Sequence, residues 1–293
     1  MKHLIFFIIL LSPCYLFPDS TKTICEGKTF SKGLLWEVKR ENSEPDYLFG
    51  TIHLDDPQIT TLPDIVEKTL LASQRYVMEI EMHPLAMATY TERSRLSGEK
   101  SLDQFLSQQE YLRLKKLVSE HYGLDENVLR QLKPWAVFTL LSRPLPKGGK
   151  ILDLVLADLA RKGQLDTSGL ETMQELLDDL DSLSVSDQLE ILRDTVKNFS
   201  ILEQQLAALK EKYLQQDLTG MQNVSMSGHS DELLFERLMD RLLYRRNARM
   251  LDRIEPLLQK EKVFIAVGAL HLPGERGLLC GLASRGYQLR RLY

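Results

Sequence analysis

The chain has 293 residues, enough for one large domain or two small ones with ample core. It carries 41 acidic against 37 basic residues and has no Lys/Arg-rich stripe, which argues against nucleic acid as a partner. Three cysteines and no Cys-x-x-Cys argue against a thiolate zinc site or a dithiol redox motif.

Met1-Lys2-His3 precedes the unbroken apolar run at residues 4–11, which reads as a secretory signal peptide. The run is too short for a comfortable membrane span, and no second long apolar stretch follows. The expectation is an exported protein, periplasmic or secreted, with residues 1–24 removed and residues 25–293 forming the mature chain. Leu11-Ser12-Pro13-Cys14 offers a lipid anchor at Cys14 as an alternative, although Pro13 stands where a small residue is expected. Cys25 and Cys280 would then remain near the mature termini, either paired in an oxidising compartment or as two buried thiols.

Leu34-Leu35-Trp36-Glu37-Val38 and Tyr47-Leu48-Phe49-Gly50 flank a polar stretch and predict a β-hairpin, the second strand running into His53. Leu62-Pro63-Asp64 opens a helix. Tyr76-Val77-Met78-Glu79-Ile80-Glu81-Met82 reads as a strand, and period-two spacing puts Glu79 and Glu81 on one face. From Pro84 to about Asn247 the pattern is mostly helical, with breaks at Gly123, Pro144-Leu145-Pro146 and Gly148-Gly149, and a cap at Gly163. Pro134-Trp135 reads as a helix start with a core aromatic. Residues 164–170 predict a short strand, and the polar residues 221–230 a mobile loop. Lys262-Val263-Phe264-Ile265-Ala266-Val267 is a fully buried strand, followed by a helix at 277–284 and an edge strand at 286–292. The fold class is α+β: a mixed β-sheet core built from the N- and C-terminal segments, with a large helical insertion.

One short phrase occurs twice. An apolar strand runs into Gly50-Thr51-Ile52-His53, and another into Gly268-Ala269-Leu270-His271. Buried strands deliver their C-terminal ends to one edge of a core, where loops carry function. His53, His271, Glu79 and Glu81 are the ligand types that hold Zn, Mn, Co or Fe with open positions for water. Metal-bound water is a nucleophile near neutral pH, and a spare carboxylate can take its proton. Glu171, in Gly169-Leu170-Glu171-Thr172, reads by composition as a helix-capping acid. Arg246 and Asn247 read by periodicity as surface charge, or as donors to a developing oxyanion. His83, His121 and His229 stand alone. There is no Gly-x-Ser-x-Gly elbow, phosphate-binding glycine loop or His-Glu-x-x-His helix.

At these residues the chain resembles the TraB/GumN family, which is related to the TIKI proteases. The matching stretches are Leu48 to His53, Val77-Met78-Glu79-Ile80-Glu81, Lys133-Pro134-Trp135, Gly169-Leu170-Glu171-Thr172, Arg246-Asn247 with Met250, and Val267 to Gly274. The resemblance implies a fold shared with erythromycin esterases and haem-binding ChaN proteins, and a metal-dependent peptidase activity with Mn or Co, Zn being a further option. It carries His53, Glu79 and His271 over as metal residues. Glu81 stands where the family often has Asp, and the polar Gln164-Leu165-Asp166-Thr167-Ser168 departs from the apolar strand expected there. The combined reading is an exported hydrolase of peptide or protein substrates. His53, Glu79 and His271 would hold the ion, Glu81 or Glu171 would act as general base, and Arg246 and Asn247 would steady the oxyanion. Two alternatives stay open: a metal-free His/Glu hydrolase, and a binding protein for haem, metal or peptide.

Overall fold

The computed structural model describes residues 30–293, apart from residues 42, 146 and 228–230. The signal-peptide expectation, the lipid-anchor alternative at Cys14 and the Cys25 half of the expected pairing lie outside the described residues. Cys280 is disulfide-bonded.

The strands are β1 (Leu35–Lys39), β2 (Asp46–Thr51), β3 (Arg75–Ile80), β4 (Asp166–Glu171), β5 (Val263–Gly268) and β6 (Gln288–Arg291). They form one mixed sheet in the order β4-β3-β5-β2-β1-β6. β3 runs parallel to both β4 and β5, and β5 runs parallel to β2. β1 is antiparallel to β2, as the expected hairpin requires, and to β6. Four parallel strands therefore end at the same sheet edge. β5, from near the end of the chain, sits between two strands that come from its first third.

Burial explains the sequence pattern of each strand. β2 and β5 lie inside the sheet, covered on both faces, so they read as continuous apolar runs. β4 is an outer strand: Asp166 and Thr167 are exposed, and only Leu170 and Glu171 are buried. That edge position accounts for the polar start of a segment that still pairs along β3. β6 closes the opposite edge, where Arg290 forks onto Glu37 of β1.

The helices are α1 (Pro57–Thr60), α2 (Asp64–Leu71), α3 (Pro84–Arg93), α4 (Gln108–Tyr122), α5 (Glu126–Gln131), α6 (Pro134–Leu141), α7 (Leu152–Lys162), α8 (Met173–Asp181), α9 (Val185–Lys197), α10 (Phe199–Leu214), α11 (Leu218–Ser225), α12 (Glu232–Met239), α13 (Arg245–Leu257) and α14 (Leu278–Ser284). The sequence dictates many of their ends. Ser107 and Glu110 form a capping box on α4, and Gly123 ends it in the left-handed region at φ 61°. Thr172 and Glu175 form the same box at the start of α8, directly after β4. On α7 the buried residues Leu152, Leu156 and Ala160 recur every four positions and join the sheet core. The helical insertion has its own core around Trp135, whose indole Nε1 donates to Asp181 at 2.7 Å.

The expected loop at 221–230 is corrected over its first half. Asp217 caps Gly220, and α11 runs through Ser225 with Leu218 and Met221 buried. Its outward face is polar, which hides the helix from a composition-based reading. Between α12 and α13 the chain makes a π-helical turn, Asp240–Tyr244, with the Arg245 N–H bonded to the Asp240 carbonyl five residues back. Such a turn inserts a residue into the helix and re-phases the turns after it. Arg246 and Asn247 come immediately after this insertion, and both are buried.

Candidate active site

The two Gly-x-x-His turns leave the sheet side by side. In the β2–β5 ladder, Gly50 lies opposite Val267 and Thr51 opposite Gly268. A Cβ on Gly50 would come within 2.8 Å of Leu272 Cδ1 and 3.1 Å of Ala269 Cα, so the first glycine lets the second turn pack against it. Tyr213 donates its buried hydroxyl to the Gly50 carbonyl at 2.9 Å and fixes that turn from α10.

Glu79, near the end of β3, is the centre of the arrangement. Its Oε1 accepts the Gly268 backbone N–H, and its Oε2 accepts from Arg246 at 2.9 Å. His271 Nε2 lies 3.6 Å from Oε1, too far for a hydrogen bond. Burial works to raise the Glu79 carboxyl. The charge His271 carries when protonated, then those of Arg246 and His53, with the Gly268 N–H, overcome it and hold the carboxyl well below its usual range.

His271 is 5% exposed. Its Nδ1 is bonded to Asn247 Oδ1 at 2.6 Å. An amide oxygen only accepts, so the ring proton sits on Nδ1, and the Nε2 lone pair is directed at Glu79. Burial pushes His271 down to about 4, with Glu79 pulling the other way and Arg246 and His53 adding to the drop. Asn247 is committed on both sides, because its Nδ2 donates to the Arg276 carbonyl at 2.7 Å.

His53 differs. Its side chain is 63% exposed, and its Nδ1 meets Asp153 Oδ2 of α7 at 2.8 Å. Desolvation would lower it; the bond and charge of Asp153, then the charge of Glu79, hold it up to about 9. Thr51 Oγ1 donates to the other Asp153 oxygen at 2.9 Å.

Glu171, at the end of β4, is buried, and both its oxygens are engaged. Oε2 accepts Arg246 Nε at 2.8 Å, and Oε1 accepts Arg249 at 2.6 Å. Arg246 thus bridges the carboxylates of two adjacent strands. Glu81 follows the last residue of β3, is exposed, and accepts from Thr167 Oγ1 at 3.2 Å. The alternation that pairs it with Glu79 stops where the strand stops.

His53, Glu79, Glu171 and His271 are therefore delivered to one edge, with Arg246 and Asn247 reaching in from α13. Sequence reasoning missed Asp153, Arg249 and the Gly268 N–H. Arg246, Arg249 and Arg253 recur at helical spacing on α13 and face Glu171, Asp179, Glu175 and the Leu170 carbonyl. That spacing was the available signal. Asp153 gave none, since an acid in a first helical turn is commonplace.

The donor set suits a divalent cation in kind. It offers one ionised carboxylate and two imidazoles whose Nδ1 atoms are tethered, which is how metal-binding histidines are held. Two atoms each about 2 Å from one ion lie at most about 4 Å apart, and the 3.6 Å between His271 Nε2 and Glu79 Oε1 is within that span. Among the described residues, no three His, Cys, Asp or Glu side chains already gather at metal-ligand spacing.

Comparison with known proteins gives a consistent picture. The profile of the TraB/PrgY/gumN family matches residues 34–291. Metalloprotease TIKI2 of Danio rerio is 24% identical over 87% of this chain and 60% of its own length. Metalloprotease TIKI1 of Homo sapiens is 23% identical over 87% of this chain and 61% of its own length. The chain thus spans about three-fifths of the length of these relatives. No solved structure matches it significantly.

Proposed function

The chain belongs to the TraB/PrgY/gumN family, and from that premise we propose that it is a metal-dependent hydrolase acting on peptide bonds. The observation that carries the proposal is the Glu79–His271 pair. The carboxylate is kept ionised by Arg246 and the Gly268 N–H, and it faces an imidazole nitrogen bearing a lone pair. Glu79, His271 and His53 would hold the ion, Mn or Co by the family resemblance. Two relatives are named metalloproteases, which supports a metal and a peptide or protein substrate.

A divalent ion in this place supplies Lewis acidity for a carbonyl and lowers the pKa of water. The chain's residues do the rest. Arg246 keeps Glu79 charged and aligned between β3 and β4. Asn247 fixes the His271 ring so that Nε2 points inward. With Asn247 and Arg246 so committed, they serve as holders of the site rather than as mobile oxyanion donors. Glu171, gripped by two arginines, anchors Arg246. Glu81, exposed just beyond the end of β3, is the carboxylate proposed to take a proton from the attacking water.

A second reading rests on a different observation. The His53–Asp153 pair is open to solvent and bonded at 2.8 Å, an arrangement that, where His53 has given up its proton, can activate water without a metal. Metal content and peptide hydrolysis, measured with and without a chelator, separate the two. The first reading expects hydrolysis to stop on chelation, return with Mn or Co, and be absent in His271→Ala. Hydrolysis that ignores both chelator and His271→Ala, yet disappears in His53→Ala, would put the second in its place. A haem absorbance band on the native protein would favour a binding role instead.

Export belongs to the same proposal, on the strength of the apolar run at residues 4–11. Mass spectrometry of the native protein should find the N-terminus between Cys14 and Cys25. Among the described residues no helix is long and apolar enough to cross a membrane.

A further inference from the structure

We propose that Asp153 is a positioning residue of the site: it fixes the ring of His53 through Nδ1 so that Nε2 is the nitrogen left free to bind a ligand. This rests on the metal-site reading of His53 given above and adds to it a residue outside the two Gly-x-x-His phrases.

Asp153 lies in the first turn of α7, where an acid would ordinarily serve the helix's own N-terminus. Both of its oxygens are turned to another element. Oδ1 accepts from Thr51 Oγ1 at 2.9 Å and Oδ2 meets His53 Nδ1 at 2.8 Å, and both partners belong to the first Gly-x-x-His turn. A carboxylate only accepts, so the shared proton is carried on Nδ1. Stability does not explain the pair: at 63% exposure of the imidazole, an ion pair contributes little. What it does is remove rotamer freedom from a ring that packing leaves loose.

The second turn shows the same device. His271 Nδ1 is held by Asn247 Oδ1 at 2.6 Å, again from a helix outside the phrase. Each histidine is thus tethered through the same ring nitrogen by a side-chain oxygen, charged in one case and neutral in the other. The buried ring takes an amide; the exposed ring, which water competes for, takes a carboxylate. Charge-assisted bonds are the stronger kind, and the exposed position is where that strength is required. Partners of this type raise metal affinity by about ten- to a hundredfold.

The test uses the full chain and two readouts. In the metal-free protein, a hydrogen-bonded His53 Nδ1–H gives a slowly exchanging ring resonance in nitrogen-15 spectra. Asp153→Ala should abolish it, and Asp153→Asn, whose amide oxygen still accepts, should keep it. The dissociation constant for Co(II), read by visible absorbance, should weaken about tenfold or more in Asp153→Ala and less in Asp153→Asn. Thr51→Val removes the second anchor of Asp153 without touching α7 and should give an intermediate loss if Asp153→Ala does not fold. Persistence of the resonance in Asp153→Ala would overturn the proposal. So would wild-type Co(II) affinity in Asp153→Ala while His53→Ala binds at least tenfold more weakly. If His53→Ala binds Co(II) normally, it is the role of His53 as a ligand that fails, and the resonance alone then decides the role of Asp153.

Discussion

Gly268 gives its backbone N–H to Glu79 Oε1, and a Cβ on Gly268 would stand 3.1 Å from that same oxygen. The strand end and the carboxylate are therefore fitted to each other at a glycine. Its backbone, φ −52° and ψ 134°, is one that alanine adopts freely. Gly268→Ala is thus a steric probe of Glu79 without backbone strain. It should cost about 1 kcal/mol of stability and lower hydrolysis and Co(II) affinity about tenfold or more. Urea unfolding alongside Co(II) titration checks the combination; equal losses in both would mark a folding defect instead.

The carboxylates should separate by role. Glu79→Gln should lose metal and hydrolysis together, since an amide is a poor ligand and Arg246 is left facing a neutral group. Glu81→Gln should keep the metal and lose about a hundredfold in turnover, because only proton transfer is removed. Glu171→Gln should act on stability first, as Arg246 and Arg249 both lean on that carboxylate. Metal analysis and peptide hydrolysis on the same preparations decide the assignment. Full turnover in Glu81→Gln would move the proton acceptor elsewhere.

Arg246 is expected not to tolerate lysine. Its Nε reaches Glu171 while a terminal nitrogen reaches Glu79, and a single ammonium cannot span both. Breaking such a buried bridge should lower stability by about 3 kcal/mol, with Co(II) affinity falling alongside. An Arg246→Lys protein as stable as the parent in urea would show that the bridge is not what holds β3 and β4 together at this edge.

Asp46 predicts a pH effect far from the site. It is 5% exposed, and its Oδ1 accepts the Val263 N–H at 2.8 Å at the opposite end of β2. Burial raises its carboxyl from 3.8 to about 7, against the pull of that N–H and of Lys262. The folded chain therefore keeps a proton that the unfolded chain releases. Its stabilising contribution is fully present below about pH 4 and is lost as pH rises through about 7. Asp46→Asn should then raise stability at pH 8 by about 1 to 3 kcal/mol and change it little at pH 4. Urea unfolding at the two pH values provides the check; an equal effect at both would mean that the proton is not the cause.

The strands were legible because burial on both faces leaves an apolar run that few other structures produce. Val263 to Val267 and Tyr47 to Phe49 announce themselves in this way. β4 was harder, since an outer strand keeps polar residues on its open side. α11 was hidden by the polar outer face that Thr219 and Asn223 give it. The histidine phrases were legible as phrases, but their supports were not. A tether such as Asp153 or Asn247 is defined by what lies across space from it, 100 residues from His53 in one case and 24 from His271 in the other. Periodicity carries no trace of that. Arg246 and Asn247 looked like surface charge because nothing in their neighbourhood reveals the π turn that rotates them inward.

The position of β5 also orders events during folding. A chain released up to residue 262 has His53, Glu79 and Glu171 but neither the Gly268 N–H nor His271. It also leaves the facing edges of β2 and β3 without the strand that pairs with both. Such a chain lacks part of the candidate site and presents two open ladders side by side, a surface prone to pairing with other chains. Completion of the sheet and completion of the candidate site are one event, which waits for β5 to pair. A chain in which β5 has yet to pair therefore has to be kept apart from its neighbours until Val263 is in place.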